Sequence, residues 1–89
     1  MVPQLHWRKV GNLKVRGKAQ PESVYEPYRE RPSWLDAWEQ ALSAWEQGHD
    51  DEAQRGFRAV DDARGGDGPS QLYLAALDAD GVEDRTLPV

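Results

Sequence analysis

The chain of 89 residues has no cysteine. That excludes a disulfide framework and any thiolate metal site, and the two histidines, His6 and His49, are too far apart in sequence to suggest a zinc set. Neither histidine has an acid or a nucleophile at a spacing that would make it catalytic. Long apolar runs are missing too. None approaches the roughly 20 residues of a membrane span, and the N-terminus lacks the apolar block of a signal peptide, so a cytoplasmic chain that does not engage a membrane is expected. A domain this short buries only roughly 60–65% of its unfolded surface. Without a covalent or metal staple, packing or association must hold it together.

Charge of one sign is scarce in each half. Residues 1 to 31 carry seven Lys/Arg against three Glu, or +4, whereas 32 to 89 carry four Arg against thirteen acids, or −9, which together make the net −5. A basic segment beside an acidic one can attract it within a molecule or between copies, and salt weakens such exposed contacts. The acidic half argues against nucleic acid as a ligand, since the phosphate backbone would repel it.

Leu5, Trp7, Leu13 and Val15 recur at two-residue spacing, the period of half-buried strands. A short strand over Leu5–Val10 is expected, with Gly11 as a bulge or bend, then a β-hairpin over about 12–26 turning at Gly17 and Pro21. Pro27 and Pro32 mark a connector. Ser33 is the expected cap of a first helix, with Asp36 completing a capping-box variant. On that helix Trp34, Leu35, Trp38, Ala41, Leu42 and Trp45 share one stripe, and Gly48 ends it in the left-handed conformation. Asp50 is the candidate cap of a second helix whose buried stripe is Ala53, Phe57 and Val60, and Gly56 admits a close neighbour. GGDG at 65–68 stops it. Pro69 suits the first position of a third helix with an apolar side of Leu72, Tyr73, Ala76 and Leu77. From Asp78 an irregular tail is expected. The fold class is α+β, with a hairpin region at 1–28, a connector at 29–32, a helical segment at 33–79 and a flexible tail at 80–89.

The pattern W-R-x-V-G-x-L-x-V-R-G-K-x-x-P-x-x-V-Y-E over residues 7–26 resembles the last two strands of a class III adenylate/guanylate cyclase domain. GHDDEAQRGF at 48–57 and GDGPSQLYL at 66–74 resemble the helical tail that follows many bacterial cyclase domains. That tail usually continues with an Arg-Cys pair, where this chain has Ala76 and Leu77, and of a later Trp-Asp-Gly-Val motif only Asp80, Gly81 and Val82 remain. The segment 37–60 is similar to one tetratricopeptide unit, a motif that buries its faces by stacking on neighbours.

The resemblance implies that Arg16 faces the nucleotide triphosphate, with Lys18 a second candidate contact. In the chain by itself, both also read as solvated cations at a hairpin tip. The family's metal-binding aspartates, base-selecting pair and transition-state Asn/Arg have no counterpart here, so catalysis by these residues alone, a metal site and a bound cofactor are not expected. GGDGPS lacks the Gly-Lys-Ser/Thr ending of a phosphate loop, and DADG at 78–81 lacks the closing Glu of a calcium loop. Trp34, Trp38 and Trp45 read either as core or as a surface for a protein partner or the parent catalytic domain, with Trp34 the least buried.

The function expected from the resemblance is a noncatalytic structural and regulatory segment of a cyclase. The alternative is a stand-alone tetratricopeptide-like interaction module. A hairpin belonging to a larger sheet carries an unpaired edge, which predicts a homodimer when the chain is produced alone. Sedimentation equilibrium over a range of concentrations at low and moderate salt should show association that rises with concentration. A monomer throughout would instead mean that the helices satisfy the hairpin internally.

Overall fold

The computed structural model describes residues 5–13, 20, 22–79 and 85. Two strands, β1 (His6–Leu13) and β2 (Glu22–Tyr28), precede three helices, α1 (Leu35–Gln47), α2 (Asp50–Arg64) and α3 (Gly68–Asp78). The α+β class is as expected, but the strands are arranged differently. Where two strands were expected before the turn, there is one, paired antiparallel with β2 from His6↔Tyr28 to Leu13↔Glu22. Gly11 does not end it. The register shifts between Lys9, opposite Tyr25, and Gly11, opposite Val24, so Val10 is the extra residue of a bulge and the strand continues beyond it. The expected turn at Gly17 and Pro21 lies outside the described residues. Pro27, expected to open the connector, pairs with Trp7 inside β2. A two-stranded sheet tolerates it because an outer strand has a side where a missing N–H costs no ladder bond.

The apolar alternation of β1 is inverted with respect to the core. Leu5 and Trp7 are 37% and 54% exposed, while Arg8, next after Trp7, is fully buried against the helices. Its cross-strand partner Glu26 shares that inner side.

Helix α1 starts without the expected cap. Trp34 occupies the N-cap position with no side-chain hydrogen bond, and neither Ser33 nor a capping box is used. Asp36 is taken by Arg31, which also bonds Glu39 at 2.9 Å. Asp50 likewise is not a cap. His49 holds that position, and Asp50, Asp51 and Glu52 form the acidic first turn of α2, where they meet the positive end of the helix dipole. Gly48 and Gly65 end α1 and α2 at φ of 80° and 63°, a left-handed conformation that costs a side-chain-bearing residue more. The cap of α3 is Asp67, a role not anticipated for it, and Pro69 falls at the second helical position, one later than expected.

Antiparallel α1 and α2 meet at Gly56, where a Cβ would sit 2.5 Å from the Cβ of Ala41. The core is Leu35, Trp38, Ala41, Leu42, Ala44 and Trp45 from α1, Ala53, Phe57 and Val60 from α2, and Tyr73 from α3. Tyr73 stacks on Phe57 with ring centroids 4.6 Å apart and meets Trp45 edge-on at 4.9 Å. Leu72, expected inside, is 44% exposed, because α3 turns Tyr73 inward instead. The α3 face is completed by half-buried Leu74, Ala76 and Leu77. Among the described residues no helix is long and apolar enough to cross a membrane.

The close crossing at Gly56 makes a counterintuitive prediction. Gly56→Ala gains roughly 1 kcal/mol of helix propensity, yet overpacking against Ala41 should leave the protein about 1–3 kcal/mol less stable. A urea midpoint above that of the unsubstituted chain would contradict the crossing.

Candidate functional site

The hairpin and the helices are joined through Arg8. Its guanidinium carbon lies 4.8 Å from the ring centroid of Trp34 and 4.6 Å from that of Trp38, so an arginine from β1 is inserted between two indoles of α1 and its approach. Arg64, at the end of α2, adds a second guanidinium 4.6 Å from Trp34. Rings and cations thus alternate. Tyr28 meets the edge of Trp34 at 5.4 Å. Such contacts are worth more where water is excluded, as it is around Arg8.

The charge of Arg8 is answered chiefly by Asp67, to whose two carboxylate oxygens its Nη1 donates at 3.1 and 2.9 Å. Nη2 donates to Glu26 at 2.7 Å. Asp67 also accepts from Arg64 at 2.8 Å, from the Ser70 backbone at 3.1 Å and from the Ser70 hydroxyl at 2.5 Å, while its own N–H donates to Asp61 at 2.7 Å. One carboxylate therefore caps α3, closes the end of α2 and anchors β1. Burial alone would push the Asp67 carboxyl up, but the hydrogen bonds from Arg8 and Ser70 outweigh it and hold the group below the usual carboxylate range. Glu26 follows the same pattern. Burial opposes its charge, and bonds from Tyr28 and Arg8 prevail to hold its carboxyl low.

The bulge provides a second joint. With the ladder interrupted near Val10, the Lys9 carbonyl accepts the Trp38 indole N–H at 2.8 Å and the Val10 carbonyl accepts the Tyr73 hydroxyl at 2.7 Å. Burial pushes the Tyr73 phenol up, so it stays protonated as a donor to that carbonyl. None of these groups is poised as a nucleophile or base. Among the described residues there is also no group of three or more His, Asp or Glu suited to a metal ion.

Trp38 and Trp45 are 0% and 1% exposed. Of the two readings, core or partner surface, this burial matches core packing: Trp38 meets Phe57 and Tyr73, and Trp45 meets Tyr73 and the Arg85 guanidinium. Trp34 is half-buried, the least covered of the three, and its faces are occupied by the two arginines. Arg16 and Lys18 lie outside the described residues.

The aromatic residues that do face outward are on the opposite side of the sheet. Trp7 and Tyr25, 54% and 53% exposed, line an open apolar cleft of ≈370 Å³. They escaped the sequence reading because alternation alone does not tell which parity faces the core. A signal for the joint was present: Asp67 stands before Pro69 with Ser70 three residues on, the spacing of an N-cap whose backbone donor lies at N3.

Comparison of the chain with protein-family models, curated proteins and solved structures finds no match in any of the three.

Removing one member of a buried ion pair strands the other. Asp67→Asn should therefore cost roughly 3–5 kcal/mol near neutral pH. Because the Asp67 pKa is lowered in the folded state, its contribution is complete above the unfolded value of about 3.9 and is lost as pH falls through the lower folded value. Urea midpoints of the two proteins should thus converge on acidification below about pH 4. A gap that stays constant to pH 2 would assign the loss to something other than the ionised carboxylate.

Proposed function

We propose that this chain is a noncatalytic structural and regulatory segment of a class III nucleotidyl cyclase, acting in the cytoplasm, with the β1–β2 hairpin completing the catalytic sheet. The observation that carries this reading is the outward face of the hairpin. Strands covered on one face by helices ordinarily turn polar residues to water on the other, whereas here Trp7 and Tyr25 stand more than half exposed opposite buried Arg8. Two strands with aromatic rings on their outer face, and with no further strand beside them among the described residues, suit a place inside a larger sheet, where a neighbouring layer covers that face. The sequence resemblance over residues 7–26 names the sheet. On this reading Arg16, with Lys18 beside it in sequence, contributes positive charge near the triphosphate. The helices, locked to the hairpin through Arg8 and Asp67, transmit changes in their own contacts to the sheet.

A stand-alone interaction module is the second reading, favoured by the completeness of the joint. The hairpin and all three helices are tied into one unit by bonds within the chain.

The two readings part on the protein made by the native cell. Antibodies against this chain should recover a polypeptide much larger than 10.1 kDa, and the recovered material should convert ATP or GTP to the cyclic nucleotide. Replacing Trp7 and Tyr25 by serine in that protein should lower the activity about tenfold or more through misplacement of the sheet. Recovery of the bare 10.1-kDa chain without cyclase activity would overturn the cyclase reading in favour of the module.

A further inference from the structure

At the corner between α1 and α2, an arginine from the far end of the chain is held at three points. The Arg85 guanidinium carbon lies 5.0 Å from the ring centroid of Trp45. Its Nη1 donates to Asp50 at 2.7 Å, and its main-chain carbonyl accepts the Trp45 indole N–H at 3.0 Å. Nη2 passes beside Gly48, where a Cβ would lie 3.9 Å away in ordinary contact. The Trp45 ring lies against the guanidinium, the Asp50 carboxylate accepts one of its N–H groups, and the indole N–H reads the backbone of the same residue. Trp45 is 1% exposed with this occupant seated.

We propose that the α1–α2 corner is a recognition site for an arginine in a peptide chain, with Arg85 as its resident occupant. The chemistry favours arginine over lysine, because a guanidinium lies over a ring while still directing an N–H at a carboxylate, whereas an ammonium is a compact, strongly hydrated point charge. The ligand class is a short peptide segment carrying one arginine whose own carbonyl is free to accept. A neutral residue of the same shape loses both the attraction to the ring and the charge-assisted bond to Asp50. The tether keeps the resident arginine at an effective concentration in the millimolar range, so a peptide from outside gains access when Arg85 is removed. The site is independent of the cyclase reading, since it shares no residue with the outer face of the hairpin.

The test follows the indole N–H resonance of Trp45 by NMR in the full chain, in Arg85→Ala and in Asp50→Asn, with circular dichroism confirming the helices. Exchange of that proton with solvent should accelerate about tenfold or more in Arg85→Ala and clearly, though less, in Asp50→Asn. A peptide with the sequence of residues 81–89, GVEDRTLPV, should restore protection to Arg85→Ala at about 1–10 mM and leave the unsubstituted chain unchanged. The same peptide with citrulline for arginine should not. Unchanged exchange in Arg85→Ala, no response to the peptide at about 10 mM, or equal responses to the arginine and citrulline peptides would each overturn the proposal. If Arg85→Ala loses its helices, Asp50→Asn decides: unchanged indole exchange there overturns the proposal.

Discussion

The structure depends on a buried arginine that reaches its carboxylate across 59 positions of sequence, Arg8 to Asp67. Taking both charges out of water is costly, and their attraction repays that cost only when the remaining donors and acceptors are also occupied. Here Asp67 is fully employed by Arg8, Arg64 and Ser70, while Arg8 divides its two Nη groups between Asp67 and Glu26 and lies between two indole faces, and its buried Nε has no hydrogen-bond partner among the described residues, so the repayment is incomplete. An ion pair in this setting contributes less to net stability than to uniqueness. A hairpin shifted by one residue would turn Arg8 to water and leave Asp67 buried without its main partner.

The same logic explains the bulge. A regular β1 would have engaged its carbonyls in the ladder or pointed them elsewhere. The extra residue at Val10 lets the Lys9 and Val10 carbonyls accept from Trp38 and Tyr73, so two residues of the aromatic core are fixed to the strand as well as to each other. The core rings thus do two jobs, packing with their faces and bonding with their polar edges. The small domain gains cohesion from this arrangement, because an apolar core of this size is marginal by itself. The outer face of the hairpin takes no part in it, and Trp7 and Tyr25 remain accessible to another layer of structure.

Local rules written into single residues were legible in the sequence. The 3.6-residue stripe placed Leu35, Trp38, Ala41, Leu42 and Trp45 in the core, and Ala53, Phe57 and Val60 opposite them. Gly48 and the glycines at 65 and 66 marked helix ends because only their backbone conformation was at issue. Gly56 was recognisable as a point of close approach. The failures occurred where a partner outside the local pattern decided. Ser33 has the chemistry of a cap, yet Arg31 claims Asp36 and the helix begins without either. Gly11 has the appearance of a break, yet pairing with β2 carries the strand through it.

What the sequence by itself determined was the class of the fold, short strands followed by amphipathic helices, since periodicity and helix ends depend on neighbours a few residues away. What only the tertiary structure decided was which side of β1 faces inward. Alternation names two faces without saying which is buried, and hydrophobicity favoured the side of Leu5 and Trp7. A carboxylate at position 67 and two indole faces make the helical surface a better host for a guanidinium than for an aliphatic chain. That preference exists only once residues far apart in sequence have been brought together.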